Sequence, residues 1–431
     1  MKPVLLFLLA LATPAWADPQ PLDPAGFARH DPAEIALGQL LFYDPILSGN
    51  RTVSCATCHH PRFATGDGLP LGLGDGGTGL GPDRRADPDN LPEQRIPRNA
   101  PALFNIGHRD VTVMFHDGRI EVDPTRPHGL RTPLDSDMLE GCDGLLSAQT
   151  MFPVLSPDEM AGHYQENDVA KAVRQGRLTG DGGAWDIISK RVAAIPDYAT
   201  QFRAVYPDRD RIAFTDISNA IAAFVDAEWR ADDSAFDRLL RGTAPLTGAA
   251  AQGMALFYGD AGCGQCHSGP LLSDQEFHPM GAPQIGPGKA ARFEQHQRDD
   301  GRMRVTGRPE DAYAFRTPML RNVTRTGPWG HAGAHDDLRE FLRDHADPAA
   351  APRRPMVTMP AVPGAVADGT IWEDPATRDE ILATVRTDPR PLSEAELDAL
   401  MAFLSALEDE TALAGRLGLP ATVPSGLPVD R

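Results

Sequence analysis

Apolar side chains return every three or four residues in three well-separated stretches of the chain. The stretches cover residues 32 to about 43, residues 216–228, and the residues that follow Ser393, where Ser393 and Glu396 form a capping box. This spacing is typical of amphipathic helices that pack one face against a core. No region shows the pattern of a strand-dominated domain, so the sequence predicts a mainly α fold.

Long connections separate the helical stretches. The 431 residues include 41 glycines and 40 prolines, and two segments, residues 69–92 and 280–309, are rich in both. Both segments are predicted to be loops, because glycine and proline interrupt regular structure. A Gly-Thr-Ala-Pro break at residues 241–246 predicts a domain boundary. The predicted units are residues 18–243, residues 244–415 and a poorly ordered tail, residues 416–431.

The pattern Cys-x-x-Cys-His occurs twice, and it is the attachment signature of c-type haem. The two copies are Cys55, Cys58 and His59, and Cys263, Cys266 and His267. In this chemistry each thiol adds to a haem vinyl group, and the histidine binds the iron. A zinc site would need a second Cys-x-x-Cys to pair with either copy, and a thioredoxin-like pair would need a strand-rich βαβ surrounding. The sequence shows neither, so we expect two covalently bound haem c groups.

The surroundings of the two haem motifs are repeated as well. A Gly-x-x-Leu-Phe-Tyr stretch precedes each motif, at residues 38–43 and 253–258. The repeats that follow the motifs are PALFN (101–105) with His116, and PMLRN (318–322) with His331. Internal repeats of this kind indicate homologous units. The chain is therefore predicted to hold two tandem cytochrome c-like haem domains with long Gly/Pro-rich loops.

The first 17 residues have the order of features found in a secretory signal. Lys2 is followed by an apolar run over residues 4–12 and by Ala-Trp-Ala at residues 15–17. We expect cleavage of this segment before Asp18. The apolar run is too short for a membrane anchor, which takes about 20 apolar residues. Because c-type haem is attached outside the bacterial cytoplasm, the predicted location is the periplasm.

The net charge limits the classes of binding partner, and the cysteine count leaves one cysteine without a haem to hold. A formal net charge of −19 opposes binding to nucleic acid and to anionic membranes. It allows electrostatic steering of a basic redox partner, although exported proteins are often acidic for no such reason. The chain has 5 cysteines, so Cys142 is left over once four of them hold haem. We expect Cys142 to be an ordinary buried or loop cysteine, with a reactive or intermolecular thiol as the alternative.

Several motifs together resemble the bacterial di-haem cytochrome c peroxidase and MauG family. They are the two Cys-x-x-Cys-His copies, Arg-Asn-Ala-Pro at residues 98–101, His-Asp-Gly-Arg at 116–119 and Leu-Arg-Asn-Val at 320–323. The resemblance implies that the N-terminal haem reacts with hydrogen peroxide. It also implies that the C-terminal haem relays electrons from a small periplasmic cytochrome c or cupredoxin, and that the protein is a homodimer.

At the first haem, the resemblance implies an open iron site. Many peroxidases of the family carry a distal histidine 16 residues after the proximal one, and this position is Asp75 in the present chain. The sequence has no histidine between His60 and His108. A five-coordinate iron that needs no activation follows from this departure.

The family pattern Q-x3-P-x5-E-M, which belongs to the peroxide pocket, is intact. By resemblance, Gln149 orients the peroxide, Pro153 shapes the pocket, and Glu159 moves the proton between the peroxide oxygens. The alternative for Glu159 is an ordinary helix start after Pro157, because carboxylates are favoured near helix N-termini.

At the second haem, the resemblance places the sixth iron ligand 14 residues beyond His331 of the Pro-Trp-Gly-His-Ala-Gly motif. This position is His345, where the family has methionine or tyrosine. A haem with two histidine ligands would have a lower potential than a haem with a thioether ligand. The alternative ligands are Met280, Met356 and Met359.

A calcium ion commonly lies between the haems in this family, and its matching ligands are Asn99, Thr326 and Pro328. Two further features depart from the family. His116 replaces the inter-haem tryptophan, and imidazole is harder to oxidise than indole. An insertion at about residues 120–147 carries Cys142 and could cover the pocket or dock a partner.

Three functions are compatible with these residues. The first is a peroxidase that reduces hydrogen peroxide with electrons from a small redox protein. The second is a MauG-like oxidase that modifies a partner protein, and the third is a di-haem electron carrier without catalysis. The open first haem and the intact Gln149 to Glu159 spacing favour catalysis, so we expect peroxidase chemistry.

Overall fold

The computed structural model describes residues 18–289, 294, 296–352, 357–359, 361–364 and 370–431. The predicted signal segment, residues 1–17, and the alternative ligand Met356 lie outside the described residues. Within the described ranges, no helix combines the length and apolar character needed to cross a bilayer.

Helices dominate the fold, which confirms the prediction of a mainly α chain. They are α1 (Pro32–Tyr43), α2 (Cys55–Cys58), α3 (Leu145–Thr150), α4 (Asp168–Arg174), α5 (Ala184–Ala193), α6 (Pro196–Val205), α7 (Phe214–Glu228), α8 (Ala235–Leu240), α9 (Gly248–Phe257), α10 (Met303–Thr306), α11 (Leu338–Ala346), α12 (Thr370–Glu373), α13 (Pro375–Leu382), α14 (Glu394–Ser405) and α15 (Glu410–Ala414). The three helices predicted from apolar spacing correspond to α1, α7 and α14. The capping box of α14 is present, since the Ser393 hydroxyl accepts from the Glu396 N–H and the Glu396 carboxylate accepts from the Ser393 N–H.

Among the described residues, the strands are short and form three small antiparallel sheets. They are β1 (Gly77–Thr78), β2 (Arg85–Ala86), β3 (Val113–Met114), β4 (Ile120–Val122), β5 (Leu130–Arg131), β6 (Phe277–His278) and β7 (Phe315–Arg316). β1 pairs with β2, β3 with β4 and β4 with β5, and β6 with β7. The register places Val113 opposite Glu121 and Phe277 opposite Arg316. Most of the two predicted loop segments is irregular, as expected.

The first core forms where α1 crosses α7. Phe42 of α1 lies against Phe224 of α7, with ring centroids 5.3 Å apart. Gly38 is at the crossing, and a Cβ at this position would come within 1.8 Å of the Ala220 carbonyl oxygen. The first glycine of the repeated Gly-x-x-Leu-Phe-Tyr stretch is therefore required by the close approach of two helix backbones.

The second core repeats this crossing with α9 and α14. Phe257 of α9 lies against Phe403 of α14, with ring centroids 5.1 Å apart. A Cβ at Gly253 would come within 1.8 Å of the Ala399 carbonyl oxygen. Phe236 of α8 also packs on Phe403, so the second core begins before the break predicted at residues 241–246. The same residue types thus make the same contact twice.

The insertion at about residues 120–147 packs on the first core. It supplies β4 and β5, and Met138 and Leu139 are buried. Glu121 of this segment accepts from the guanidinium of Arg302, 2.8 Å away in the second half of the chain. Cys142 is partly buried, with its Sγ 3.5 Å from the sulfur of Met151. The insertion therefore joins the two halves beside the predicted pocket.

The prediction of a poorly ordered tail is wrong. Residues 416–431 return to the first core, where Val423 is buried and Leu427 and Val429 pack against the cluster. The Glu228 carboxylate accepts from the backbone N–H of Leu417, at 2.7 Å. The Asp430 carboxylate accepts from the Thr57 hydroxyl, at 2.5 Å. Glycine and proline keep this tail from forming regular secondary structure, but its apolar side chains are still packed against the first core.

Candidate haem sites and active site

The first Cys-x-x-Cys-His motif forms the short helix α2, and His59 follows it directly. The Nδ1 of His59 lies 2.9 Å from the carbonyl oxygen of Thr65. A carbonyl can only accept, so Nδ1 carries the proton and Nε2 is left for a metal. Burial lowers the pKa of His59, which favours the neutral, ligating form.

The second motif has the same arrangement. The Nδ1 of His267 lies 3.1 Å from the carbonyl oxygen of Leu272. Burial again lowers the pKa of the imidazole. The repeat therefore reproduces the support of the histidine as well as its position in the sequence.

The thiols of both motifs are free cysteines. Burial raises the pKa of Cys55 to about 12 and that of Cys263 to about 11, so neither thiol is a reactive thiolate near neutral pH. Two unpaired thiols beside a histidine with a free Nε2 are the donor set that haem c needs. The residues of both sites fit this group.

The loop at residues 72–77 occupies the position where relatives carry a distal histidine. The backbone N–H of Asp75 donates to the Glu159 carbonyl at 2.9 Å, and its carboxylate accepts from the amide of Asn50 at 3.0 Å. Arg84 donates to the carbonyls of Leu73 and Gly74 in the same loop. Asp75 is thus fixed by hydrogen bonds within the protein.

This loop lies directly against the predicted catalytic residue. A Cβ at Gly74 would come within 2.4 Å of the carbonyl oxygens of Asp158 and Glu159. Only glycine fits such a contact between two backbones. The loop therefore holds the Glu159 segment in place.

The three predicted pocket residues lie on three consecutive short elements. Gln149 is in the last turn of α3, and its Oε1 is buried without a hydrogen-bond partner among the described residues. Pro153 begins a tight 3-10 turn, Pro153–Leu155, which packs against the turn that carries Glu159. A buried, unpaired amide oxygen is costly, and a polar ligand such as a peroxide would satisfy it.

Glu159 lies in a single π-helical turn, Pro157–Ala161, rather than at the start of a longer helix. Turns of this type are frequent at functional sites. Burial raises the pKa of its carboxyl, and the cations Lys289 and Arg119 oppose this rise. Glu159 is thus a desolvated carboxyl beside two positive charges, one from each half of the chain.

His345 lies in the last turn of α11, where its ring stacks on Phe341 with centroids 5.2 Å apart. Burial, together with the nearby His267 and His335, lowers the pKa of His345 to about 4. His345 is therefore within electrostatic range of the second proximal histidine. Of the described alternatives, Met280 contacts Thr387 and Met359 packs in the small cluster around Leu71.

Of the predicted calcium ligands, Asn99 and Pro328 lie beside the same residues, Leu69 and Pro70. The side-chain amide of Asn99 donates to the carbonyls of Leu69 and Pro70, at 2.8 and 3.2 Å, which leaves its Oδ1 available. Pro328 lines a cavity together with Leu69 and Pro70. The Thr326 hydroxyl donates to the Val323 carbonyl at 3.2 Å. Oxygen donors of this kind suit a calcium ion.

A buried ion cluster joins the two halves between the candidate sites. The guanidinium of Arg98 lies 2.8 Å from the Asp117 carboxylate and 2.6 Å from the Asp299 carboxylate. Burial raises the pKa of both carboxyls, but the Arg98 cation outweighs it and holds both pKa values far below their usual range. Both carboxylates therefore stay charged and bind Arg98 from opposite halves of the chain.

His116 is next to this cluster. Its Nε2 lies 3.3 Å from the Asn99 carbonyl oxygen. Burial lowers the pKa of His116 to about 3, and the charges of Arg98 and His331 contribute to this shift. The imidazole is therefore neutral at physiological pH.

Three residues at the junction, where the two halves of the chain meet, were not identified from the sequence as parts of the site. They are Lys289, Asp299 and the side chain of His331. Lys289 is the single lysine of residues 244–431, and this could have drawn attention to it. Asp299 had no such signal, because its partner Arg98 is 201 positions away. His331 was noted only as part of a repeat and as the motif position from which His345 was counted.

Comparison with known proteins gives consistent matches. The family described as di-haem cytochrome c peroxidase matches residues 32–245. The chain is 30% identical over 318 residues to the methylamine utilization protein MauG of Methylorubrum extorquens, covering 73% of this chain and 68% of that protein. It is 27% identical over 308 residues to the cytochrome c551 peroxidase of Pseudomonas aeruginosa, covering 71% and 69%. The crystal structure of a MauG-like protein associated with microbial copper homeostasis matches with a TM-score of 0.59 at 26% identity, covering 94% of this chain and 97% of that chain.

Proposed function

Because the chain belongs to the di-haem cytochrome c peroxidase and MauG family, we propose that it is a periplasmic peroxidase that reduces hydrogen peroxide to water. The electrons come from a small cytochrome c or cupredoxin. They enter at the C-terminal haem site and pass to an open N-terminal site, where two electrons and two protons convert one peroxide to two waters.

The observation that supports this function best is the fixed loop around Asp75. In place of a distal histidine, the loop presents a carboxylate that is already bonded to Asn50, and its backbone is bonded to Glu159. A first haem site without a second protein ligand would leave the iron open to a small ligand such as peroxide. The buried, unpaired Oε1 of Gln149 supports the same assignment.

The residues divide the chemistry between them. Bound haem supplies the redox-active iron at each site. Cys55 and Cys58 would attach the first group, and Cys263 and Cys266 the second. His59 and His267 would bind the two irons through Nε2, because Nδ1 of each already donates to a backbone carbonyl.

The remaining residues act on the peroxide and on the second iron. Glu159 takes a proton from one peroxide oxygen and returns it to the other, while Gln149 orients the molecule and Pro153 shapes the pocket. His345 would bind the second iron as a further ligand, which its position near His267 supports. A calcium ion is held by Asn99, Thr326 and Pro328.

A second candidate is oxidation of a partner protein, as in MauG. The absence of a histidine between His60 and His108 favours it, because an open iron needs no release of a ligand. The similarity to the MauG protein of Methylorubrum extorquens is in line with this reading.

For either candidate function, the proposal includes export of the protein by means of residues 1–17 and its assembly as a homodimer.

Optical and EPR spectra of the oxidised protein, taken before and after addition of hydrogen peroxide, test the proposal. We expect one high-spin and one low-spin haem, with a prompt spectral change on peroxide addition. Two low-spin haems that do not react would contradict it. Steady-state turnover with reduced cytochrome c then separates the two candidates, since rapid turnover excludes an enzyme that acts only on a protein substrate.

A further inference from the structure

Residues 72–79 form a glycine-rich segment that contains the Asp75 loop. Five of its eight residues are glycine, at positions 72, 74, 76, 77 and 79. Glycine loses more conformational freedom on folding than any other residue, so local preferences do not order such a segment. A single conformation therefore requires contacts from side chains outside the segment.

Arg84 supplies three of these contacts. Its guanidinium donates to the carbonyl of Leu73, and to the carbonyls of Gly74 and Gly79 at 2.7 Å each. The three carbonyls lie near both ends of the glycine-rich segment, so one side chain ties the two ends together. Arg84 is 3% exposed, and a Cβ at Gly77 would come within 2.6 Å of its Nε. The segment is thus wrapped around the guanidinium.

The positive charge of Arg84 makes these contacts difficult to break. Hydrogen bonds from a charged donor are stronger than those between neutral groups, and all three acceptors are backbone carbonyls of the segment. Burial lowers the pKa of Arg84, and the charges of Asp430, Asp67 and Asp75 oppose this shift. A buried cation that lost its acceptors would be left unpaired, which is costly. The glycine-rich segment is therefore held close to Arg84.

The same segment contacts the turn that carries Glu159. The backbone N–H of Asp75 donates to the Glu159 carbonyl at 2.9 Å. A Cβ at Gly74 would come within 2.4 Å of the carbonyl oxygens of Asp158 and Glu159. Gly74 is thus bonded to Arg84 through its carbonyl and packed on the Glu159 turn through its Cα. The position of Glu159 consequently depends on Arg84.

We propose that Arg84 is a positioning residue of the peroxide site, which orders the glycine-rich segment and through it holds Glu159 in place. The inference rests on the proposed function, because it presumes that Glu159 moves the peroxide proton. Arg84 acts through the backbone contacts of Gly74 and Asp75. Proton transfer requires a closely defined geometry, so a loosened Glu159 turn slows it.

The test compares Arg84→Met and Arg84→Lys with the unaltered holoenzyme. In Arg84→Met, the backbone amides of residues 72–79 and of the Glu159 turn should exchange hydrogen about tenfold faster or more, because three carbonyls lose their donor. The kcat for peroxide should fall about tenfold or more, whereas KM should change less. Lysine keeps the charge and can bond to some of the carbonyls, so Arg84→Lys should recover part of both effects.

Arg85→Met is the matched control. Arg85 is the next residue, but it is exposed, and its guanidinium donates to the carbonyls of Pro82 and Arg84, outside the glycine-rich segment. Loss of this charge should leave both hydrogen exchange and kcat unchanged.

Two results would overturn the proposal. The first is unchanged hydrogen exchange of the glycine-rich segment in both Arg84 variants. The second is faster exchange with an unchanged kcat, because Arg84 would then order the segment without positioning Glu159. If Arg84→Met does not fold, Arg84→Lys decides by the same two measurements.

Hydrogen exchange is recorded without peroxide, which separates this inference from the proposed function. If Arg84→Met loosens the segment and the Glu159 turn while the unaltered protein reduces no peroxide, the role of Arg84 in holding Glu159 stands and the peroxidase function fails. If the unaltered protein and both Arg84 variants reduce peroxide equally fast, only the role of Arg84 fails.

Discussion

The protonation of Glu159 depends on two opposing influences. Burial raises the pKa of its carboxyl, while Lys289 and Arg119 lower it. A proton acceptor must be ionised before it can take a proton from peroxide, so turnover should fall as the pH falls through this pKa. The cations therefore extend activity toward lower pH.

Replacing Lys289 by methionine should shift this acid limb. Removal of a cation that lowers the pKa of Glu159 leaves the effect of burial less opposed, so the limb should move to higher pH by about one unit. The pH dependence of kcat/KM for peroxide is the measurement. Lys171→Met is the matched control, because Lys171 is an exposed lysine of α4.

Glu159→Gln completes this series. The amide cannot accept the proton, so kcat should fall about a hundredfold or more and the acid limb should disappear. An unmoved limb in Lys289→Met, together with full activity in Glu159→Gln, would place the proton acceptor elsewhere.

At the residue scale, the sequence motifs identified the functional residues whose positions depend on short spacing along the chain. The thiols and histidines of both Cys-x-x-Cys-His copies could be assigned in this way, since their function requires neighbours in sequence. Lys289 and Asp299 could not, because they act across the junction on residues of the other half. Nothing in the sequence around them shows which charged residue they will interact with in the folded protein.

At the scale of elements, two glycines determine how closely the helices approach. Gly38 of α1 lies on the Ala220 carbonyl of α7, and Gly253 of α9 lies on the Ala399 carbonyl of α14. A glycine inside a helix normally costs about 1 kcal/mol relative to alanine. Its presence at both crossings indicates that close backbone contact outweighs this cost.

Gly38→Ala and Gly253→Ala should therefore destabilise the protein, although alanine is the better helix former. The added methyl would overlap a backbone carbonyl at 1.8 Å, so the helices must separate, at a cost of about 1–3 kcal/mol. Thermal unfolding followed by circular dichroism is the measurement. A higher melting temperature in either variant would mean that the helices do not approach this closely.

The elements themselves were largely predictable. Apolar spacing predicted α1, α7 and α14, and the bounds of α1 agree with the prediction. The stretch at residues 38–43 is repeated at residues 253–258 because each copy forms one of the two helix crossings. The π-helical turn at Glu159 could not be predicted, because its geometry depends on packing against the Asp75 loop.

At the scale of the whole molecule, the tail links the end of the chain to the first haem site. Asp430 accepts from Thr57, which lies between the two thiols of the first motif. Val423 is buried in the first core, and the backbone of residues 417 and 418 bonds to Glu228. The reading of 416–431 as loose was based on composition, which does not show where apolar side chains of a loop are buried.

Removal of residues 416–431 should destabilise the first half more than the second. Loss of four packed apolar side chains and of the Thr57 contact should cost about 3–5 kcal/mol. Hydrogen exchange of α1 and α7 measures the effect, with α9 and α14 as the internal reference. Deletion of Arg431 alone is the control, because this residue is exposed. Equal loss of protection in both halves would contradict a local role.

The return of the tail also sets an order of events in folding. The bond between Thr57 and Asp430 spans 373 positions, so the first core can close only after the second has been synthesised. Contacts this distant in sequence form slowly, because a long loop must be ordered before they contribute. Cys55 and Cys58 are consequently synthesised, and can be attached to haem, while the core around them is still incomplete. A fragment that ends at residue 243 would lack part of its own interior, so the two halves cannot be separated by cutting the chain between them.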